Sequence, residues 1–230
     1  MKKKKQQKVG VCVYCGEIKP LTDDHVPPRN LFPKPWPSNL ITVPSCADCN
    51  CGSSKDDEYF RLLISAREDT GGHTEVGKIH KKILSSLLKP NKVGFRKSVL
   101  ASVNLVERKT PGGLYIGRSP AIDVDMSRIK RVARRIVKGL FYQETKIRLP
   151  SNYEAVAFPI EYKDFSDQIV SSLTAIQPRL IGNGVFSYRG YFLEDDPNES
   201  AWLMFFYEGA PFLGATIPIG DTRKSCADAT

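Results

Sequence analysis

Two pairs of cysteines near the amino terminus constrain the fold of this 230-residue chain more than any other feature. Cys12 and Cys15 form one Cys-x-x-Cys pair, Cys46 and Cys49 form the other, and thirty residues separate the two. Such pairs can bring four thiolates tetrahedrally around one zinc ion. The segment that contains them is rich in Cys, Pro and Asp and too short to bury an ordinary core. We therefore predict a small module that is held together by a structural zinc ion.

Two other uses of these cysteines fit the sequence less well. Disulfides need an oxidising compartment, but the lysines at positions 2–5 are followed by no apolar run of the kind that a secretory signal contains, which predicts a cytoplasmic protein. A redox site fits poorly because there are two pairs and neither lies in a β-α-β pattern. Cys51 and Cys226 have no Cys-x-x-Cys partner. Cys51 could replace one of the paired cysteines, but we expect it to be a free thiol.

Charge is distributed unevenly along the chain, whose formal net charge is +9. Residues 1–55 carry a net charge of +5, residues 56–150 a net charge of +10, and residues 151–230 a net charge of −6. Lys and Arg side chains neutralise phosphates and dominate the affinity of proteins for nucleic acid. The first two segments are therefore the ones expected to bind a polyanion, although a solvated basic surface explains the same charge.

The pattern of apolar residues predicts an α+β protein in two parts. We assign residues 1–69 to the zinc module and residues 70–230 to an accessory region, because Asp69-Thr70-Gly71-Gly72 interrupts a helical pattern. Within the accessory region we expect a helical segment over 74–150 and an antiparallel, β-rich segment over 151–220. Periodicity predicts helices at 55–68, 79–88, 93–106, 126–141 and 164–174. The apolar run 201–219 is predicted to be two strands joined by a turn at 208–211 rather than a membrane span.

Polar residues between and beside the cysteine pairs suggest what the module does. Asp24, His25 and Asn39 lie between the pairs, and Asn50 directly follows the last cysteine. A histidine beside an aspartate, brought near an amide by the zinc site, supplies a general base and two hard oxygen ligands for a divalent cation. Hydrolysis of a phosphodiester needs these groups.

In these residues the chain resembles the HNH endonucleases, and within that family the branch that carries four zinc-binding cysteines. In this branch a catalytic Asp-His pair lies between two Cys-x-x-Cys pairs and an Asn follows the last cysteine, which matches Asp24-His25 and Cys49-Asn50. The resemblance covers roughly residues 10–60. It implies the ββα-metal fold, in which two short strands and a helix surround the catalytic ion.

The resemblance also implies a role for each polar residue. Asp24 and Asn50 would hold the catalytic divalent ion, Mg²⁺ or Mn²⁺, and His25 would be the general base. Asn39 would tie the loop behind His25, although it lies further from the second cysteine pair than in the commonest pattern. Asn50 stands where the family is named for a histidine, and it still offers an oxygen ligand. Asp23 could replace Asp24, but alternation along a strand points only one of the two at the metal.

The expected partner is nucleic acid, and double-stranded DNA by the resemblance, with no membrane contact and with a homodimer compatible with the sequence. Candidate phosphate contacts lie beside the motif and on the predicted helix 126–141; they are Arg29, Lys55, Arg128, Arg131, Arg134, Arg135 and Lys138. The leading prediction is a metal-dependent HNH endonuclease. The alternative is a non-catalytic zinc module that binds nucleic acid or another protein, which accounts for the cysteines but not for Asp24, His25 and Asn50.

Overall fold

The amino-terminal part of the molecule is a small antiparallel sheet followed by two helices. The computed structural model describes residues 8–160, 172–173 and 175–220. Strands β1 (Val9–Val11), β2 (Ile18–Val26) and β3 (Ile41–Cys46) form the sheet in that order. Helix α1 (Ala47–Gly52) begins directly after β3, and α2 (Ser54–Ala66) follows it. Strand, strand and helix therefore succeed one another from β2 to α1, and the helix predicted at 55–68 is confirmed.

The middle of the chain contains two helices and a hairpin. Helices α3 (Thr74–Leu87) and α4 (Val93–Ala101) are followed by strands β4 (Val103–Lys109) and β5 (Tyr115–Ile122), which pair with each other. The prediction of one helix over 93–106 was therefore wrong beyond Ala101, and the segment 74–150 is not wholly helical. The β-branched residues Val103 and Val106 favour a strand, and pairing with β5 decided between the two conformations.

Helix α5 (Met126–Thr145) is the long amphipathic helix that the sequence predicts. The Asp125 side chain caps its first turn by accepting hydrogen bonds from the backbone N–H groups of Ser127 and Arg128. Its apolar face is buried; the buried residues include Ile129, Val132, Ala133, Ile136, Val137, Leu140 and Phe141. At Gly139 the helix comes so close to β2 that an added Cβ would lie 2.5 Å from Cγ2 of Val26. Gly139 thus sets how closely α5 packs on the strand that carries Asp24 and His25.

The carboxyl-terminal part is an antiparallel sheet, as predicted, with five strands among the described residues. Its strands are β6 (Tyr153–Pro159), β7 (Arg179–Ile181), β8 (Phe186–Phe192), β9 (Ser200–Phe206) and β10 (Ala210–Pro218), arranged in the order β6-β10-β9-β8-β7. The turn between β9 and β10 confirms that the run 201–219 is a pair of strands. The helix predicted at 164–174 lies almost entirely outside the described residues.

One hydrophobic core joins the two ends of the chain. Phe60 on α2 is fully buried, and its ring meets that of Phe206 edge to face at 5.2 Å and that of Phe212 at 5.8 Å. The Tyr207 hydroxyl donates a hydrogen bond of 2.7 Å to the backbone oxygen of Leu31. The boundary at residue 69 stays a prediction, and the segments on either side of it pack against each other. Among the described residues, no helix combines the length and the apolar character needed to cross a membrane.

Candidate metal centre and active site

The four paired cysteines meet at one point of the amino-terminal sheet. Cys12 and Cys15 lie in the connection after β1, Cys46 ends β3, and Cys49 lies on α1. Their sulfur atoms all lie within 4.8 Å of one another, and those of Cys15 and Cys46 are 3.9 Å apart. Zinc–sulfur bonds of about 2.3 Å in a tetrahedron place the sulfurs about 3.8 Å apart. The cluster could therefore hold a metal ion such as zinc, while Cys51 lies outside it and Cys226 is not described.

Ionisation of these thiols is tied to their surroundings. Burial disfavours the Cys12 thiolate, but hydrogen bonds from the backbone at Cys15, Cys46 and Tyr14 outweigh burial and lower its pKa to about 6. Burial and the neighbouring Cys46 thiol raise the pKa of Cys49. The Cys12 thiolate thus forms readily, and its negative charge opposes ionisation of Cys49. A bound cation would offset that repulsion, so all four thiols could ionise and bind the metal.

Three of the predicted catalytic residues line one cleft with a volume of about 330 Å³. Asp24 and His25 reach it from β2, and Asn50 reaches it from α1. The other lining residues are Pro28, Arg29, Asn30, Trp36, Ser54, Asp57 and Lys82. Asp23 is exposed and does not line the cleft, whereas Asp24 is 6% exposed. Of the two adjacent carboxylates, Asp24 is the one that belongs to the cleft.

The Asp24 carboxylate is buried with one oxygen unsatisfied. Oδ1 accepts a hydrogen bond of 2.9 Å from the backbone N–H of His25. Oδ2 has no hydrogen-bond partner in the described part of the chain, and its nearest cation is Nε of Arg135 at 3.6 Å. Burial and the Asp24 charge together raise the pKa of the neighbouring Tyr14 hydroxyl. A buried carboxylate oxygen without a donor costs free energy that a bound cation would offset.

The Asn50 side chain is oriented by its amide nitrogen. Nδ2 donates to Oγ1 of Thr22 at 3.0 Å and to the backbone oxygen of Asp23 at 3.3 Å. No described residue donates a hydrogen bond to the carbonyl oxygen Oδ1. Carboxylate and amide oxygens are ligands that hard divalent cations accept. Asp24 and Asn50 therefore offer oxygen atoms of the chemical types that Mg²⁺ or Mn²⁺ accepts.

The surroundings of the His25 imidazole favour its neutral form. Burial, and after it the charge of Arg29, lower the pKa of His25 below its ordinary value. Among the described residues, neither ring nitrogen has a hydrogen-bond partner. A neutral imidazole that lines a cleft can accept a proton from a water molecule bound there.

Asn39, which was predicted to tie the loop behind His25, also contacts the carboxyl-terminal sheet. Its amide nitrogen donates a hydrogen bond of 2.9 Å to the backbone oxygen of Leu180 in β7. The loop between β2 and β3, which contains Asn39, packs on that sheet. A Cβ at Gly182 would lie 2.8 Å from the Phe32 ring, which shows how closely the two segments approach.

The predicted phosphate contacts divide into two groups. Arg29 lines the cleft and stacks on Trp36, with its guanidinium carbon 4.2 Å from the ring centre. Lys55 is exposed but does not line the cleft. Two charged lining residues were missed by the sequence prediction, Asp57 on α2 and Lys82 on α3. Neither stands near a recognisable motif, so only the packing of their helices reveals them.

Three of the four arginines of α5 are bound to carboxylates of the protein itself. Arg128 and Arg131 bond to the two oxygens of Asp56 at 2.7 and 2.8 Å. Arg135 bonds to Asp57 at 2.6 Å, and its side chain is only 11% exposed. These three arginines are therefore poor candidates for phosphate contacts. Of the remaining predicted contacts on α5, Arg134 is exposed and Lys138 is half-buried.

Comparison of the chain with protein-family models, with curated proteins and with solved structures finds no match. Its chemistry must therefore be inferred from the two sites themselves.

Proposed function

We propose that this chain is a metal-dependent endonuclease of the HNH type that hydrolyses phosphodiester bonds in nucleic acid, with DNA as the favoured substrate. The observation that carries the proposal is the meeting of Asp24, His25 and Asn50 at one cleft. Asp24 and His25 lie on β2, which follows the first cysteine pair, and Asn50 lies on α1, which contains Cys49. A zinc ion at that cluster would hold the strand and the helix in place.

Each residue has a distinct part in the proposed reaction. Asp24 and Asn50 bind the divalent cation through carboxylate and amide oxygens, and the cation, when bound, stabilises charge on the leaving 3′ oxygen and on a non-bridging phosphate oxygen. His25 takes the proton from the attacking water. Arg29 and Lys82 place positive charge at the cleft, where the phosphate of the substrate would lie.

Incubation of the full chain with supercoiled plasmid, with and without Mg²⁺ or Mn²⁺, tests the proposal. We expect cleavage that depends on the metal. His25→Ala should lower the rate about a hundred- to ten-thousand-fold while folding and DNA affinity remain, because only proton transfer is lost. Asp24→Asn and Asn50→Ala should also abolish cleavage, but excess metal should partly rescue them and should not rescue His25→Ala.

Asp23→Ala is the matched control, because Asp23 is adjacent in sequence but does not line the cleft. It should cut at the rate of the unmodified protein. A protein that binds DNA but cuts it under no divalent metal, or a His25→Ala variant that cuts normally, would make the non-catalytic zinc module the correct description.

The zinc site makes a second prediction, which concerns stability rather than catalysis. Elemental analysis should find one zinc ion per chain, and Cys12→Ser combined with Cys46→Ser should lose both the zinc and much of the thermal stability, because metal binding contributes to folding free energy. Cys51→Ser is the control and should retain the ion. Full stability in the absence of zinc would refute a structural metal at this cluster.

A further inference from the structure

The net positive charge of the molecule lies in one segment outside the four-cysteine cluster. Residues 76–122 comprise most of α3, all of α4 and the β4–β5 hairpin, and we call them the basic arm. The basic arm contains ten Lys and Arg residues and one acidic residue, Glu107, whereas the rest of the chain contains 24 of each sign. The net charge of +9 is therefore the charge of this arm, and the remainder of the chain is balanced.

Most cations of the basic arm are not neutralised by the protein. Six of them have no carboxylate partner among the described residues; they are Lys81, Lys82, Lys89, Arg96, Lys97 and Arg118. The ion pairs on the hairpin are long and exposed, 3.7 Å from Arg108 to Glu68 and 3.6 Å from Lys109 to Glu107. Exposed pairs of this kind contribute little free energy, so both cations remain available to a stronger anion.

The hairpin is largely exposed to solvent, and in the described part of the chain only its Ile122, at the end of β5, packs against the core. All seven residues of β4 are exposed, and so are apolar side chains such as Leu105, Leu114 and Ile116, at 70%, 70% and 56%. A two-stranded hairpin is only marginally stable by itself in water. Exposed apolar side chains among cations that are unpaired or only weakly paired, with a single acid, form a surface that suits the grooves and phosphates of a nucleic acid.

The dimensions of the hairpin favour one form of nucleic acid. Strands of seven and eight residues form a ribbon about 25 Å long. The major groove of B-form DNA, about 12 Å wide, admits a two-stranded ribbon. The major groove of A-form RNA is too narrow for side chains to enter. The basic arm also reaches the cleft, because Lys82 on α3 is one of the residues that line the cleft together with His25.

We infer that the basic arm binds duplex DNA, with the β4–β5 hairpin in the major groove and the lysines of α3 and α4 against the phosphates. This inference rests on the proposed function in one respect, that the bound duplex is the one delivered to the His25 cleft. Binding itself is a separate property that can be measured without cleavage.

The test measures binding of the full chain to a short DNA duplex without divalent cations, as a function of salt concentration. The variant Arg108→Gln, Lys109→Gln and Arg118→Gln removes three charges from the hairpin. It should lower the slope of log affinity against log salt by up to about 2.7, or about 0.9 for each lost phosphate contact. A control that removes three charges elsewhere, Lys8→Gln, Lys146→Gln and Arg179→Gln, should keep the original slope. Equal slopes for the two variants would overturn the inference.

Further measurements exclude loss of folding as the cause of weaker binding and identify the binding partner. Glu107→Gln should tighten binding, up to about fivefold, because it removes the one acid of the arm, and an unfolded variant cannot gain affinity. Bound protein should protect guanine N7, which lies in the major groove, from methylation. Competition by duplex RNA as effective as that by DNA would overturn the groove assignment. A sedimentation mass of the hairpin variant that differs from that of the unmodified protein would also overturn it, because the hairpin would then be a contact between two copies of the chain.

Cleavage distinguishes this inference from the proposed function. The hairpin variant should need a higher protein concentration than the unmodified protein to reach half of its maximal cleavage rate, because it binds the duplex more weakly. If the protein binds DNA through the basic arm but never cleaves it, only the proposed function is contradicted. If the protein cleaves DNA but the hairpin variant binds as tightly as the unmodified protein, only the inference about the basic arm is contradicted.

Discussion

Helix α5 and the basic arm are both rich in Lys and Arg, but they differ in what surrounds those charges. On α5, three arginines face Asp56 and Asp57 at the start of α2 and are bound there. On the basic arm, most cations have no carboxylate partner in the part of the chain that the structure describes. The difference shows that positive charge along a sequence does not specify positive charge at a surface, because distant acidic residues decide how much of it remains.

The arginines of α5 have a structural part in the molecule. Arg128 bonds to Asp56 and stacks on Tyr59, with its guanidinium carbon 4.1 Å from the ring centre. Arg135 lies between Asp57 and Asp24, largely out of contact with water. Together these contacts fix α5 against α2. They also hold Asp24 at the edge of the cleft, so the helix supports the candidate site without contacting a substrate.

The largest expected effect comes from Arg135→Ala. The change leaves two buried carboxylates without their cation, and breaking a buried ion pair in this way costs about 3–5 kcal/mol of unfolding free energy. Urea denaturation measures the loss. Arg134→Ala, one residue away on the exposed side of the same helix, should change stability by less than about 0.5 kcal/mol. Similar losses in the two variants would remove the distinction between the structural and the exposed cations.

A smaller effect is expected from Asp56→Asn, which releases two arginines of α5. Stability should fall by about 1 kcal/mol, because the pairs are only partly buried. The slope of log affinity for duplex DNA against log salt should rise by up to about 1.8, since two cations become available to phosphates. Asp195→Asn removes the same charge from an exposed carboxylate without a described partner, and it should leave the slope unchanged. If the two variants bind alike, neutralisation by Asp56 is not what keeps α5 from nucleic acid.

The site residues that could be predicted from the sequence are those that lie close to one another along the chain. The four cysteines fall into two local pairs, and Asp24, His25 and Asn50 lie close to them along the chain, so the zinc motif alone suggests their proximity. Asp57 and Lys82 could not be predicted in this way, because they reach the cleft from helices whose positions depend on packing across the whole molecule. The neutralisation of Arg135 by Asp57, 78 residues earlier, depends on the same packing.

The fold was predictable to a similar extent and for a related reason. Long amphipathic helices such as α5, and short apolar runs bounded by turn residues such as β9, have patterns that specify one conformation. The segment 93–106 does not, because its apolar residues fit a helix and a strand equally well. Pairing between β4 and β5 determined the outcome, and sequence periodicity contains no information about that partner.

The close approach of α5 to β2 has a consequence for how this sequence can change over evolutionary time. Glycine inside a helix costs about 1 kcal/mol relative to alanine, yet a Cβ at position 139 would overlap Val26, next to His25. The side chains at positions 139 and 26 therefore compete for the same space between α5 and β2. A larger residue at 139 requires a smaller one at 26, or else the strand moves and takes Asp24 and His25 with it. Descendants that keep the cleft should consequently alter positions 26 and 139 together or leave both as they are.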